Sequence, residues 1–208
     1  TAGFSAAFSF TTTAGADTAT TGAVGYALSV TNAVSGLATS PDNTAINLYE
    51  VGGVIVGSTA AVAPVTSDGL VDTTIAFTLS VDSSGVVTLK QYQAIEHSGE
   101  LENASAPGYD GSFADDIATL LTGKVGLTAT QTITDGDGDS DTASATLDLG
   151  GNVRFTDVGP DINANAVVDA NAIVLTTSDS GTEGAGVNTV TAGFSAAFSF
   201  TTTAGADT

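Results

Sequence analysis

Residues 135–141 read DGDGDSD and place Asp135, Asp137, Asp139 and Asp141 at alternate positions, with Gly136 and Gly138 between them. In a strand, alternate side chains share a face; in a glycine-loosened turn they converge. Either way four carboxylates crowd together, and two such charges 4 Å apart repel by about 4 kcal/mol at an effective dielectric near 20. A hard divalent cation removes that repulsion and gains oxygen ligands. Calcium suits the site best, because it accepts six to eight oxygens in irregular geometry. The spacing is not that of an EF-hand: Ser140 stands where its glycine belongs and Thr146 where its bidentate glutamate belongs. Nor is it the glycine-rich nonapeptide of a calcium β-roll. The plainer alternative is a solvated Asp/Gly turn that holds no ion.

Other acidic groups are sparser. Asp157 and Asp161 flank Gly159-Pro160, where a bridging ion would stiffen a linker. Asp110, Asp115 and Asp116 gather in a loop-like stretch, and Asp17 sits in an AGADT turn. Nothing assembles into an enzyme. Glu96-His97 lacks the second histidine of a zinc-protease helix, and neither a phosphate loop nor a dinucleotide fingerprint occurs. The lone His97 reads as a surface-loop residue. Asn103-Ala104-Ser105 fits a glycosylation sequon, a pattern common by chance.

The elements that position the aspartates are strands. Thr, Val, Ala, Ser and Gly dominate, and apolar residues recur with period two. FSAAFSF predicts a strand with Phe4, Ala6, Phe8 and Phe10 on one face, and GYALSVTN does the same with Tyr26, Leu28 and Val30. INLYEVGGVIVG predicts two strands around a primed turn at Gly52-Gly53. Ile75, Phe77, Leu79 and Val81 alternate into the turn Asp82-Ser83-Ser84-Gly85, and Val87, Leu89 and Gln91 alternate out of it. The acidic motif is the tip of a second long hairpin, with Val125, Leu127 and Ala129 leading up and Ala143, Ala145, Leu147 and Leu149 leading down. NVRFTDVGPDIN closes the pattern, and DANAIVLTTS predicts a further strand. Only SFADDIATLLTG has a helical reading, with Ser112 as cap. Short strands with evenly spaced turn signals indicate an all-β chain folded as an antiparallel β-sandwich.

Composition sets the partners. Of 23 acidic side chains 18 are Asp; the only basic ones are Lys90, Lys124 and Arg154, and the formal net charge is −20. Such a surface attracts cations and opposes nucleic acid and anionic membranes, which call for Lys and Arg. With no Cys there is neither a disulfide nor a thiolate zinc site. No apolar run approaches the roughly 18 residues of a membrane helix, so no membrane insertion is expected.

TAGFSAAFSFTTTAGADT occurs twice, at 1–18 and at 191–208. Eighteen identical residues are beyond coincidence and predict a tandem array with a period of 190 residues, the size of a domain rather than of a solenoid unit. The stretches GYALSVTNAVSGL, FTLSVDSSGVVTLKQYQAIEHS and DDIATLLTGKVGLTATQTITDGDGDSDTASATLDLGGNVRFTDVGP occur in that order. Together they resemble the long extender repeats of giant RTX (repeats-in-toxin) adhesins of Gram-negative bacteria, the ending TDGDGDSDTASATLDLGG…FTDVGP being the most specific part.

That resemblance implies an Ig-like or extender-type β-sandwich. It also implies a protein that is type I-secreted and extracellular on the bacterial cell surface, with calcium ions between repeats keeping a stalk straight. The stalk is a spacer that projects a ligand-binding tip for biofilm attachment. The unit boundary it implies makes residues 1–160 the body of one repeat and 161–208 the opening segment of the next, with neighbouring repeats as partners and strand exchange between them. Similar repeats usually carry two acids before the Gly-Pro, and here Val158 replaces one. The other function class is a calcium-dependent carbohydrate- or ice-binding β module, which would need one exposed flat array or an ion with open coordination.

Overall fold

The structure is a computed structural model that describes residues 1–15, 17–97, 117–157, 161–166, 174–177 and 189–203. It divides into two units, Thr1–Val158 and Gly159–Gly205.

The first unit is built from antiparallel strands. Six form one sheet: β1 (Ala2–Gly3), β4 (Val34–Thr39), β5 (Thr44–Val51), β6 (Val54–Ser58), β7 (Ile75–Val81) and β8 (Val86–Gln91), in the order β1-β8-β7-β6-β5-β4. In the second sheet β10 (Val125–Thr134) is central, with β11 (Ser140–Asp148) on one edge and β2 (Thr20–Thr21) and β3 (Gly25–Val30) along the other. A two-stranded pair, β9 (Ile117–Thr119) with β12 (Arg154–Thr156), accompanies them. This is the all-β sandwich that the period-two pattern predicts. Among the described residues the only helical turns are single 3-10 turns.

The core lies between the two sheets. Leu28 and Leu127 face each other across β3 and β10, and they pack with Ile46, Leu48, Ile55, Phe77 and Leu79 of the larger sheet. Phe155 brings β12 onto the same core, its ring 5.2 Å from that of Phe77 and tilted by 54°. Each fully buried side chain of this size contributes about 1.5–3 kcal/mol. Gly57 is paired with Phe77, and a Cβ there would collide with the ring. The glycine makes room for the largest buried side chain.

The predicted hairpins are present. Val51 pairs with Val54 across Gly52 and Gly53, whose φ angles of 59° and 80° are those of a primed turn. Val81 pairs with Val87 across the Asp82–Gly85 turn, where Asp82 Oδ1 accepts from the amides of Ser84 and Val86. In the acidic hairpin Leu127 pairs with Leu147 and Ala129 with Ala145. Ala143 and Ala145 nevertheless stay exposed. Strand β11 is an edge strand that runs beyond the core's reach.

Three expectations are corrected. FSAAFSF at 4–10 is not a strand: Ala7 N–H donates to Phe4 O at 2.9 Å and Phe8 N–H to Ser5 O at 3.3 Å, closing a 3-10 turn over Ser5–Ala7. Phe4 and Phe8 still pack on the core, so the turn satisfies the same apolar spacing. Ile117–Thr119 is a strand rather than part of a helix, because pairing with β12 and burial of Leu120 override local propensity. The cap Ser112 and the acids after it lie outside the described residues. His97 is not on the surface; it is 4% exposed, and its Nε2–H donates to Phe155 O at 3.1 Å. The chain from Ile95, itself buried, carries it inward alongside β12.

In the second unit, β13 (Asp161–Ala166) pairs antiparallel with β14 (Phe198–Thr203), from Asp161 opposite Thr203 to Ala166 opposite Phe198. Of the strand predicted at 169–178, Val174–Thr177 are described and lie in no strand; the rest is outside the described residues.

Candidate metal centre

The acidic motif is the connection between β10 and β11. A ten-residue and a nine-residue strand deliver its ends, and two backbone features close it. Asp135 N–H donates to Asp139 O at 2.9 Å, and Gly138 adopts a φ of 99°, a left-handed conformation that glycine accommodates without strain. Asp139 N–H in turn donates to Asp135 Oδ1 at 3.0 Å. The tip is therefore an ordered turn that folds its carboxylates back on one another.

Asp135, Asp137 and Asp139 each offer a carboxylate oxygen, and these oxygens lie within 4.8 Å of one another. Calcium–oxygen bonds of roughly 2.3–2.6 Å put opposite ligands at most about 5 Å apart, so the spread fits one ion. The donors are all hard oxygens, which excludes a preference for soft or borderline metals. Asp137 is held below its ordinary carboxyl pKa by its hydrogen bond with the Asp135 carboxyl and then by the Asp139 amide.

Asp141 takes a different part. It is the second residue of β11, and its Oδ1 accepts from the Thr142 amide at 2.8 Å. It lines the cleft beside the tip, together with Asp135, Asp139, Thr13, Gly15 and Ala19, but it is outside the group of three converging carboxylates.

Support from the N-terminal segment is a finding that no local pattern announces. Gly136 N–H donates to Asp17 O at 2.8 Å, and Thr20 and Thr21 pair with Thr134 and Ile133. A Cβ on Gly136 would sit 2.8 Å from Asp17 O. Gly136 is thus needed for close backbone approach, and Asp17, exposed in a bend, supports the tip through its carbonyl. The clue available in the sequence was the pair of glycines, whose roles are separate: Gly138 for its φ, Gly136 for the contact.

Asp157 and Asp161 fall on different units. Asp157 is 6% exposed, with Oδ1 3.9 Å from His97 Nδ1, and that nitrogen has no hydrogen-bond partner among the described residues. Asp161 opens β13. Asp110, Asp115, Asp116 and the Asn103 sequon lie outside the described residues.

No curated protein and no solved structure gives a significant match to this chain. Residues 1–150, which hold the whole acidic hairpin, match the family described as a domain of unknown function (DUF5801), and the chain belongs to that family.

Proposed function

We propose that the chain is a spacer repeat of an extracellular bacterial adhesin, stiffened by calcium and without catalytic activity. The observation that carries the reading is the identical segment at 1–18 and 191–208, a repeat of domain length such as a stalk would need many times over. The resemblance to RTX adhesin extenders supplies the surface location, the type I secretion and the role in biofilm attachment. The convergence of Asp135, Asp137 and Asp139 supports calcium as the bound cation. The charge of −20 supports it too, because bound cations relieve self-repulsion.

Affinity in the extracellular range of about 10⁻⁴–10⁻³ M is expected. At a hundredfold excess over Kd, binding stabilises by about 2.7 kcal/mol and raises Tm by roughly 5–10 °C. Thermal unfolding of the Asp137→Asn, Asp139→Asn double variant should show most of that rise gone. A rise of unchanged size would move calcium to other residues. Small-angle scattering of three linked repeats tests the spacer itself: calcium should lengthen and straighten the particle.

A second reading has its own observation. On the outer face of β10 and β11, Thr128 pairs with Thr146 and Thr132 with Thr142, each with hydroxyl oxygens 2.8 Å apart, and Thr130 lies opposite Ser144. This hydroxyl ladder is the flat array that a carbohydrate- or ice-binding module would present. Glycan-array binding or inhibition of ice recrystallisation, lost on Thr130→Leu, would favour it over the spacer.

A further inference from the structure

Strand β1 is two residues long, yet the edge it covers continues. Ala2 is opposite Val87 and Gly3 opposite Val86. Strand β8 runs on to Gln91, and among the described residues no strand pairs with Thr88–Gln91 on that edge. Beside the uncovered stretch lies an apolar cleft of about 210 Å³, lined among others by Leu79, Val87, Leu89, Leu149 and Val153, with Thr1 and Ala2 at its margin. An open strand edge beside an apolar cleft invites strand addition.

The register states what a longer β1 would bring. Continued backward, it sets Thr1 opposite Thr88 and the three preceding residues opposite Leu89, Lys90 and Gln91. In the second copy of the repeated segment, the threonine equivalent to Thr1 comes after Asn188-Thr189-Val190. In a tandem array the same three residues precede Thr1. The valine then falls opposite Leu89, in line with Leu79 on the next strand, and on the same face as Ala2 and buried Val87. It points into the cleft. The threonine falls opposite exposed Lys90 on the other face, and the asparagine opposite exposed Gln91. Apolar meets apolar and polar meets polar at all three positions.

We infer that the cleft between β8 and Val153 is the seat of the residue preceding Thr1 in the array, the counterpart of Val190, delivered by extension of β1 along the β8 edge. The segment that opens a repeat, which this chain carries at 161–190 ahead of the second copy, then completes the β8 edge of that repeat's own sheet. This rests on the tandem-repeat reading and adds to it the strand that closes the β8 edge of each repeat.

The test adds the sequence AGVNTV to the N-terminus of the full chain and compares it with the same addition ending in aspartate. Hydrogen exchange should show new protection at the amides of Thr88–Gln91, and Tm should rise by about 3–10 °C with valine and not with aspartate. No new protection, or equal effects from both additions, overturns the inference. Protection that appears in the unextended chain and grows with protein concentration also overturns it, by assigning the edge to a second copy. Scattering from linked repeats judges the spacer reading separately: a straight particle without protection at the β8 edge would sink the strand addition alone.

Discussion

Phe4 and Phe194 open the same 3-10 turn, with φ/ψ of −111°/0° and −104°/0°, but the identical chains beyond them diverge. In the first copy Phe8 turns onto the body of the unit, its ring 6.1 Å from that of Tyr26 in an edge-to-face arrangement, and residues 8–13 form no strand. In the second copy the equivalent residues, Phe198–Thr203, are strand β14, and Phe198 and Phe200 are 54% and 65% exposed. The turn is common to both, so it is local: Ala7 N–H reaches Phe4 O, and Ala197 N–H reaches Phe194 O, each at 2.9 Å. The conformation after the turn is not local. FSFTTT has the β-branched and aromatic content of a strand, and it becomes one where Asp161–Ala166 offers backbone partners. Where Tyr26 and the core offer an apolar seat instead, burial of Phe8 decides. One sequence thus holds a rigid element and an adaptable one.

Gly85 is where the contrast between the copies breaks hardest. Phe4 N–H donates to Gly85 O at 2.9 Å, and Gly85 has a φ of 75° with the Tyr26 ring 2.9 Å from where a Cβ would be. Gly85→Ala would strain the backbone and push Tyr26 off its seat beside Phe8. A loss of about 2–4 kcal/mol in urea unfolding of the first unit is expected. The amide shifts of Ser195–Ala197 should not move. Loss of both turns together would mean that the first copy's turn is not locally encoded.

Phe8→Ala and Phe198→Ala are the same substitution in the same sequence, and they sharpen the contrast. The first empties a half-buried seat and should destabilise by about 1.5–3 kcal/mol. The second removes an exposed ring and should stay within about 0.5 kcal/mol. Equal effects would show that the two copies occupy equivalent environments.

The hairpins were legible because pattern and punctuation agreed: alternation set the strands, and Gly52-Gly53, Gly85 and the Asp/Gly motif set the turns. The first copy of FSAAFSF was not, because a 3-10 turn with Phe at both ends buries the same residues as a strand with Phe at alternate positions. Period alone does not separate them. Ile117–Thr119 resembled a helix because its neighbours include acids and leucines, and its true partner, Arg154–Thr156, lies 35 residues or more away in sequence. His97 looked like a surface residue because nothing local marks it; Phe155, 58 positions on, supplies the carbonyl that holds it. At the candidate metal centre the aspartates themselves were legible, including the convergence of three. The separation of Asp141 from the converging three and the support from Asp17 were not, since both depend on where β11 begins and where a distant segment crosses.

The last difference between the copies is electrostatic and the smallest. The first copy reaches the acidic tip through the bond from Gly136 N–H to Asp17 O, so the state of the tip should be felt along Asp17–Thr21. Folding holds the Asp137 carboxyl below its ordinary value of 3.8. A carboxyl lowered in the folded state stabilises it above the unfolded value, and that contribution fades as pH falls through the lower folded value. The tip should therefore keep its geometry at neutral pH and loosen below about pH 4. Amide shifts of Gly136 and Thr20 should titrate together in that window, while those of Ser199–Thr203 stay still. Calcium should move the midpoint downward, because protons and the ion compete for the same carboxylates. If the midpoint ignores calcium, Asp137 is not a ligand, and the cluster is a turn that merely happens to be acidic.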